Sequence, residues 1–173
     1  MPNANLNTIE RYHKMISFKK WPQTLLLSAQ DPNSVASLIR GFAKHLLCKT
    51  PHAKGACGTC QSCKIFEDDN HPDYYKLASA DDATTIKIDQ VRSVCARLDN
   101  AATLAGSQVV CIWQAHEITT QGANAFLKRL EEPKKNVYFI LYSSQPGLLL
   151  PTIRSRCIQF KVPPQELVSH PNL

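Results

Sequence analysis

The segment from Gln108 to Tyr142 limits the fold more than any other part of the sequence. It opens with a short β-branched run, Gln108-Val-Val-Cys-Ile-Trp113. After a polar loop comes Thr120 to Glu132, where Ala123, Phe126, Leu127 and Leu130 fall on one helical face. Pro133 ends that helix, because proline disfavours the α conformation at the residue before it. Val137-Tyr-Phe-Ile-Leu-Tyr142 is a second apolar run of the kind buried on both faces. Strand, helix and returning strand form a right-handed βαβ unit, so the chain is expected to build a parallel sheet covered by helices.

The flanking segments repeat this alternation. Thr24-Leu-Leu-Leu-Ser28 reads as a strand and Ala29 to Ser34 as a turn. A helix then runs from about Asn33 to Cys48, with Val35, Leu38, Ile39, Phe42, Leu46 and Leu47 in an apolar stripe. Tyr74 to Leu77 reads as a strand, Leu77 to Thr85 as a solvent loop, and Ile86 to Leu98 as a helix burying Ile88, Val91, Cys95 and Leu98. A short helix is expected from Thr8 to Ile16, with Pro22 closing the connection, and Leu148 to Arg154 reads as a loop at an exposed sheet edge. The 173 residues suit one domain. The net charge of +6 comes from lysines and arginines scattered along the chain, which suits an ordinary solvated surface better than a nucleic-acid patch. No apolar run approaches the roughly 20 residues needed to cross a bilayer. The N-terminus lacks a signal pattern, so no membrane contact and a cytoplasmic location are expected.

Cys48, Cys57, Cys60 and Cys63 lie close together in sequence. Cys57-Gly-Thr-Cys60 is a thiolate knuckle, in which glycine lets the backbone turn tightly enough for both sulfurs to face one ion. In a reducing compartment such a set points to tetrahedral Zn²⁺ rather than to disulfides. Four thiolates leave no open position, so the metal is expected to be structural, with His52 and His71 read as loop residues outside its shell. Cys95 and Cys111 fall in apolar stripes and read as small core residues.

The stretch Asn124-Ala-Phe-Leu-Lys-Arg-Leu-Glu-Glu-Pro133, followed by Arg154-Ser-Arg-Cys157 and preceded by the cysteine cluster, resembles the first AAA+ domain of bacterial clamp-loader subunits, in particular the delta-prime subunits of DNA polymerase III. The resemblance covers roughly Trp21 to Pro164. It implies an α/β fold of the P-loop NTPase-like (AAA+) type over residues 1–164 with a zinc-binding insert at about 48–73, and a linker at 165–173 leading toward a lid domain. Aligned to the family pattern, Ala29 and Ser34 stand where a P-loop has glycines, Val35 where it has its lysine, and Ala36 where it has the hydroxyl that binds Mg²⁺. Trp113 and Gln114 stand where an ATPase has its acidic pair. Glu117, three residues on, reads as a surface or capping residue. Ser143 and Ser144 end their strand where the family has a polar sensor, and read as strand-end turn residues.

The resemblance therefore implies a non-catalytic subunit with a degenerate ATPase site. Its partners would be the gamma/tau and delta subunits and, through the complex, the sliding clamp and primed DNA. Arg156, the arginine of Ser-Arg-Cys, would act in trans as an arginine finger on a neighbour's ATP. One alternative is an ATP-hydrolysing gamma/tau-like loader subunit. The other is a stand-alone zinc-ribbon protein that binds nucleic acid, although the cysteines have only Lys49, Lys54, Lys64 and Phe66 nearby and acidic Glu67-Asp-Asp69 after them.

Overall fold

The computed structural model describes residues 21–53 and 55–162. The expected helix at Thr8 to Ile16 and the linker at 165–173 lie outside the described residues. Five strands, β1 (Thr24–Ser28), β2 (Tyr74–Leu77), β3 (Gln108–Ile112), β4 (Val137–Ser143) and β5 (Ile158–Lys161), form one sheet in the order β2-β3-β4-β1-β5. Every pairing is parallel. The helices are α1 (Pro32–Leu47), α2 (Gln61–Glu67), α3 (Ile88–Leu98), α4 (Thr120–Glu131) and α5 (Pro151–Arg154).

The two faces of the sheet follow from the two-residue period of a strand. Leu25 and Leu27, Val109 and Cys111, and Ile140 and Tyr142 point to one face, where they meet Val35, Ile39, Phe42 and Phe66 of α1 and α2. Leu26, Val110, Ile112, Phe139 and Leu141 point to the other, against Val91 and Leu98 of α3, Phe126 and Leu130 of α4 and Ile153 of α5. Burial on both faces is why the central strands read as unbroken apolar runs.

Local chemistry sets the helix ends. Asp31 caps α1 with Pro32 in the first turn, a combination that pre-forms a helix start. Thr119 caps α4 by accepting a hydrogen bond from the Gly122 N–H at 3.1 Å. Gly122 sits in tight packing, since a Cβ there would lie 3.1 Å from Thr119 Oγ1 and 3.4 Å from Val91 of α3 and would press on the cap. Glu132, the residue before Pro133, has φ −128° and is already out of the helix.

Two expectations are corrected. Ile86 is not the start of α3: it is fully buried and bridges to the β3–α4 connection, its N–H bonding Glu117 O at 2.9 Å and its carbonyl accepting from Thr119 N at 3.0 Å. The stretch Leu148 to Arg154 is not a plain loop. A 3-10 turn at Pro146–Leu148 leads into α5, and Leu149 and Ile153 are buried.

Candidate functional site

Two groups of residues carry chemistry, one at each end of α1. At its C-terminal end, Cys48 is the cap residue. A loop brings Cys57 and Cys60 back to it, and Cys63 sits in the first turn of α2. The four sulfurs lie within 4.8 Å of one another, with Cys48–Cys60 and Cys57–Cys63 each at 4.0 Å. A tetrahedral Zn–S₄ site with bonds of about 2.3 Å has sulfurs about 3.8 Å apart, so the donor set and its spacing fit one ion. Gly58, at φ +74° with open space beside its α-carbon, takes the left-handed conformation that the knuckle needs.

The thiols are also electrostatically unlike. Hydrogen bonds from Thr50, from the Thr59 and Cys60 backbone and from the Thr59 hydroxyl hold Cys57 down at about 5, so it is a ready thiolate. Burial pushes Cys63 up to about 12, and a metal must displace that proton to bind. Backbone N–H groups of Cys57, Cys60 and Cys63 donate to Cys48, Cys57 and Cys60 Sγ at 3.3, 3.3 and 3.5 Å, spreading the negative charge.

His71 lies in the connection before β2, as expected, but it is not solvent-facing. It is buried behind the cluster with Nε2 2.7 Å from Ser62 Oγ, and Ser62 in turn donates to Leu47 O at 2.5 Å. Its Nδ1 accepts from Asp73 N at 3.1 Å. With Ser62 donating to Leu47 and Nδ1 accepting, the ring carries its proton on Nε2 and is neutral; burial lowers its pKa accordingly. Asp73 is fully buried as well. Its carboxylate accepts from the backbone N–H groups of Thr103, Leu104 and Ala105 at 2.6 to 3.0 Å. Burial pushes its pKa up, but these three donors outweigh that and hold it below the ordinary carboxylate value.

At the other end of α1, the C-terminal ends of β1, β3 and β4 lie where the family pattern expects a nucleotide pocket. Asp31 fills the helix start: its two carboxylate oxygens accept from Asn33 N and Ser34 N, both at 3.1 Å. The Ser34 hydroxyl turns back onto Asp31 O at 2.8 Å. Val35 is 0% exposed and belongs to the core, Ala29 is buried, and Ala36 faces solvent. Tyr142, wholly buried, donates to Ala29 O at 3.2 Å and packs against Trp113 with ring centroids 4.6 Å apart. Gln114, in the left-handed region at φ 51°, accepts from both Ser144 N and Ser144 Oγ at 3.0 Å. Ser143 Oγ shares a hydrogen bond with His116 Nδ1 at 2.8 Å. Glu117 is half-buried and accepts from Ser79 Oγ at 2.7 Å.

Arg156 lies apart from both groups, just past α5. Its side chain is partly exposed and meets Glu131 at the end of α4. Leu148, 64% exposed, belongs to the same β4–β5 connection. Asp31, Asp73 and His71 were not singled out from sequence as polar anchors. For Asp31 a signal existed, since Asp-Pro-Asn-Ser is a helix-start signature. For Asp73 none did, because its partners lie some thirty residues away.

A family model described as DNA polymerase III, delta subunit, matches residues 4–166. Among curated proteins, the chain is 38% identical over 143 residues to DNA polymerase III subunit delta' of Escherichia coli K12, covering 82% of this chain and 43% of that one. It is 41% identical over 127 residues to the delta' subunit of Pseudomonas aeruginosa, covering 73% and 39%. The chain thus spans less than half the length of these relatives. Among solved structures it is similar to a DNA polymerase III gamma subunit-related protein of Thermotoga maritima, with a TM-score of 0.66 at 21% identity over 92% of this chain and 47% of that one. That likeness is one of fold, and it agrees with the P-loop NTPase-like AAA+ class expected from the sequence. By the family model and these relatives, the chain belongs to the delta-prime family of DNA polymerase III subunits.

Proposed function

We propose that this chain is the AAA+ part of a clamp-loader subunit that leaves ATP hydrolysis to its neighbours and acts on one of their sites from outside. The observation that carries this reading is the Asp31 carboxylate on the Asn33 and Ser34 amides. A helix start binds phosphate because its N–H groups are unpaired and its dipole attracts negative charge. Here an internal anion already satisfies those groups, and an incoming phosphate would meet a carboxylate. Val35 supplies no cation, and Ala36, Trp113 and Gln114 supply no metal ligand.

Such a subunit would help place the sliding clamp on primed DNA together with gamma/tau and delta subunits, to which its delta' and gamma-related relatives point. Arg156 is the residue that would reach a neighbour's ATP. Its guanidinium is a fixed charge with a planar fork suited to phosphate, on a connection that also exposes Leu148. Cys48, Cys57, Cys60 and Cys63 would hold one structural Zn²⁺, fixing the loop that joins α1 to α2.

Titration calorimetry with MgATP is expected to give no measurable binding to the isolated chain, and tight binding would overturn the reading of the pocket. Arg156→Ala is expected to leave the melting temperature within about 2 °C, as for an exposed ion pair. In a reconstituted loader it should lower ATP hydrolysis partially and clamp loading more. Arg156→Lys should be nearly as harmful, because lysine keeps the charge and loses the fork.

A further inference from the structure

Glu131 and Glu132 end α4 with two carboxylates where the helix dipole is negative, so neither is there to stabilise the helix end. Three nearby cations are engaged elsewhere. Arg129 pairs with Asp99 at 2.7 Å, Lys134 reaches Asp99 at 3.3 Å, and Arg154 donates to Pro146 O. Among the described residues the cation on Glu131 is Arg156, twenty-five positions along the chain, with Nη2 at 2.5 Å from Oε1. The other arm of the fork, Nη1, donates to Thr152 O at 2.6 Å. Each terminal nitrogen of the guanidinium thus spends one of its two N–H groups within the subunit, on a partly exposed face, and these two bonds fix the direction of the fork, so that a phosphate elsewhere has to compete with Glu131 for it.

We propose that Glu131 is a positioning residue for Arg156: its carboxylate parks the guanidinium against the end of α4 and gives it up when a neighbour's triphosphate comes within reach. The inference rests on the reading of Arg156 as a finger acting in trans. A carboxylate and a phosphate oxygen present the same kind of acceptor to a guanidinium, so the parked fork keeps its hydrogen bonds until the exchange. The exchange is governed by the difference between the two partners. Glu131 therefore subtracts from the finger's effect on the neighbouring site while keeping the fork ordered in the free subunit.

The test is steady-state ATP hydrolysis by a loader reconstituted with this subunit at its natural length. Four versions are compared: wild type, Glu131→Gln, Arg156→Ala and the double variant. Removing the carboxylate charge is expected to raise kcat/KM for ATP by about two- to fivefold, the equilibrium equivalent of an exposed ion pair. The double variant is expected to match Arg156→Ala alone. Raising the salt concentration should close the gap between Glu131→Gln and wild type, because screening weakens the parked pair. Glu131→Asp, which keeps the charge and shortens the reach, should fall between wild type and Gln. It also provides the answer if Glu131→Gln assembles poorly. If Arg156→Ala hydrolyses ATP like wild type, the finger reading itself fails. If Arg156→Ala is impaired while both Glu131 variants equal wild type or fall with it, the finger stands and the parking role is wrong.

Discussion

The two ends of helix α1 are held together in opposite ways. At its C-terminal end, four sulfurs converge on a common centre, and their mutual repulsion as thiolates calls for a cation. At its N-terminal end, the polar groups that line the pocket close on one another. Asp31 takes the helix amides, Tyr142 takes the Ala29 carbonyl, Gln114 takes Ser144, and His116 takes Ser143. The contrast teaches how to tell a waiting site from an internal one. A waiting site leaves its donors aimed at a shared point, whereas an internal one has paired them with its own residues.

The sharpest way to break this contrast is to remove one sulfur. Cys60→Ser takes a ligand and also the cap of α2, which accepts from Cys63 N. We expect metal analysis to fall from about one equivalent to well below it. Stability should drop by upwards of about 4 kcal/mol, the range typical of lost metal sites. A variant that keeps a full equivalent of zinc and melts like wild type would mean that the cluster is not the metal centre.

At the other end, under the proposal that this is a degenerate nucleotide site, Val35→Lys would supply the cation of a P-loop and tests whether charge alone allows nucleotide to bind. Val35 is wholly buried, so the new ammonium would lose its hydration with no partner at hand. A loss of about 3 kcal/mol, read from denaturant unfolding, is expected, with no gain in ATP binding by calorimetry. A folded variant that binds MgATP would show that the pocket is closer to a working site than its hydrogen bonds suggest.

Asp73 sharpens the comparison from between the two ends, because it anchors the segment leaving the cysteine module to the loop before β3. Asp73→Asn replaces an all-acceptor group facing three N–H donors by one that brings two donors of its own. The expected cost is about 1–3 kcal/mol at neutral pH. The folded-state pKa of Asp73 lies below its ordinary value of 3.8, so its contribution is present above that value and is lost as pH falls through the lower, folded one. The stability gap between wild type and Asp73→Asn should therefore narrow in that acid window, and a gap constant down to about pH 2 would remove the carboxylate from the account.

The smallest effect is expected from Asp31→Ala. It uncovers two amides at a helix start and should cost about 1 kcal/mol, or roughly 2–4 °C in melting temperature. If Asp31 stands in for a phosphate, the variant should gain weak binding of inorganic phosphate, visible as chemical-shift changes at Asn33 and Ser34. Unchanged shifts at high phosphate would separate the cap from any memory of a nucleotide.

Much of this was legible from the sequence where the constraint is local. Cys57-Gly-Thr-Cys60 predicts its own geometry because the knuckle is four residues long and its glycine must turn. The sheet was legible because burial on both faces leaves apolar runs that polar substitution would break. Val35, Trp113 and Gln114 could be read against the pattern of a nucleotide site, but the hydrogen bonds made around them could not. Tyr142 closing on Ala29, or Gln114 on Ser144, depends on which strands become neighbours. His71 and Asp73 lie in the turn before β2 and are buried anchors as well, which nothing near them in sequence reveals, because Ser62 and Thr103 become their partners only in the fold. Ile86 was assigned to a helix because an apolar residue in phase with a helical stripe also fits an isolated bridge.

The strand order carries a consequence for how the chain comes to be folded. Among the described residues β1 is the earliest strand, yet its two neighbours are β4 and β5, so Leu25 pairs with Ile140 and Ile158. During synthesis, Leu25-Leu-Leu27 has no strand to join until more than a hundred further residues have left the ribosome. Pairings this distant close large loops, which slows folding and leaves the apolar strand exposed to misassociation in the meantime. The cysteine module, by contrast, draws its four sulfurs from residues 48–63, so a metal ion held there could be taken up while the centre of the sheet is still missing. The nascent chain would then carry a finished corner long before it has a middle, and β1 is the segment for which a chaperone would matter most.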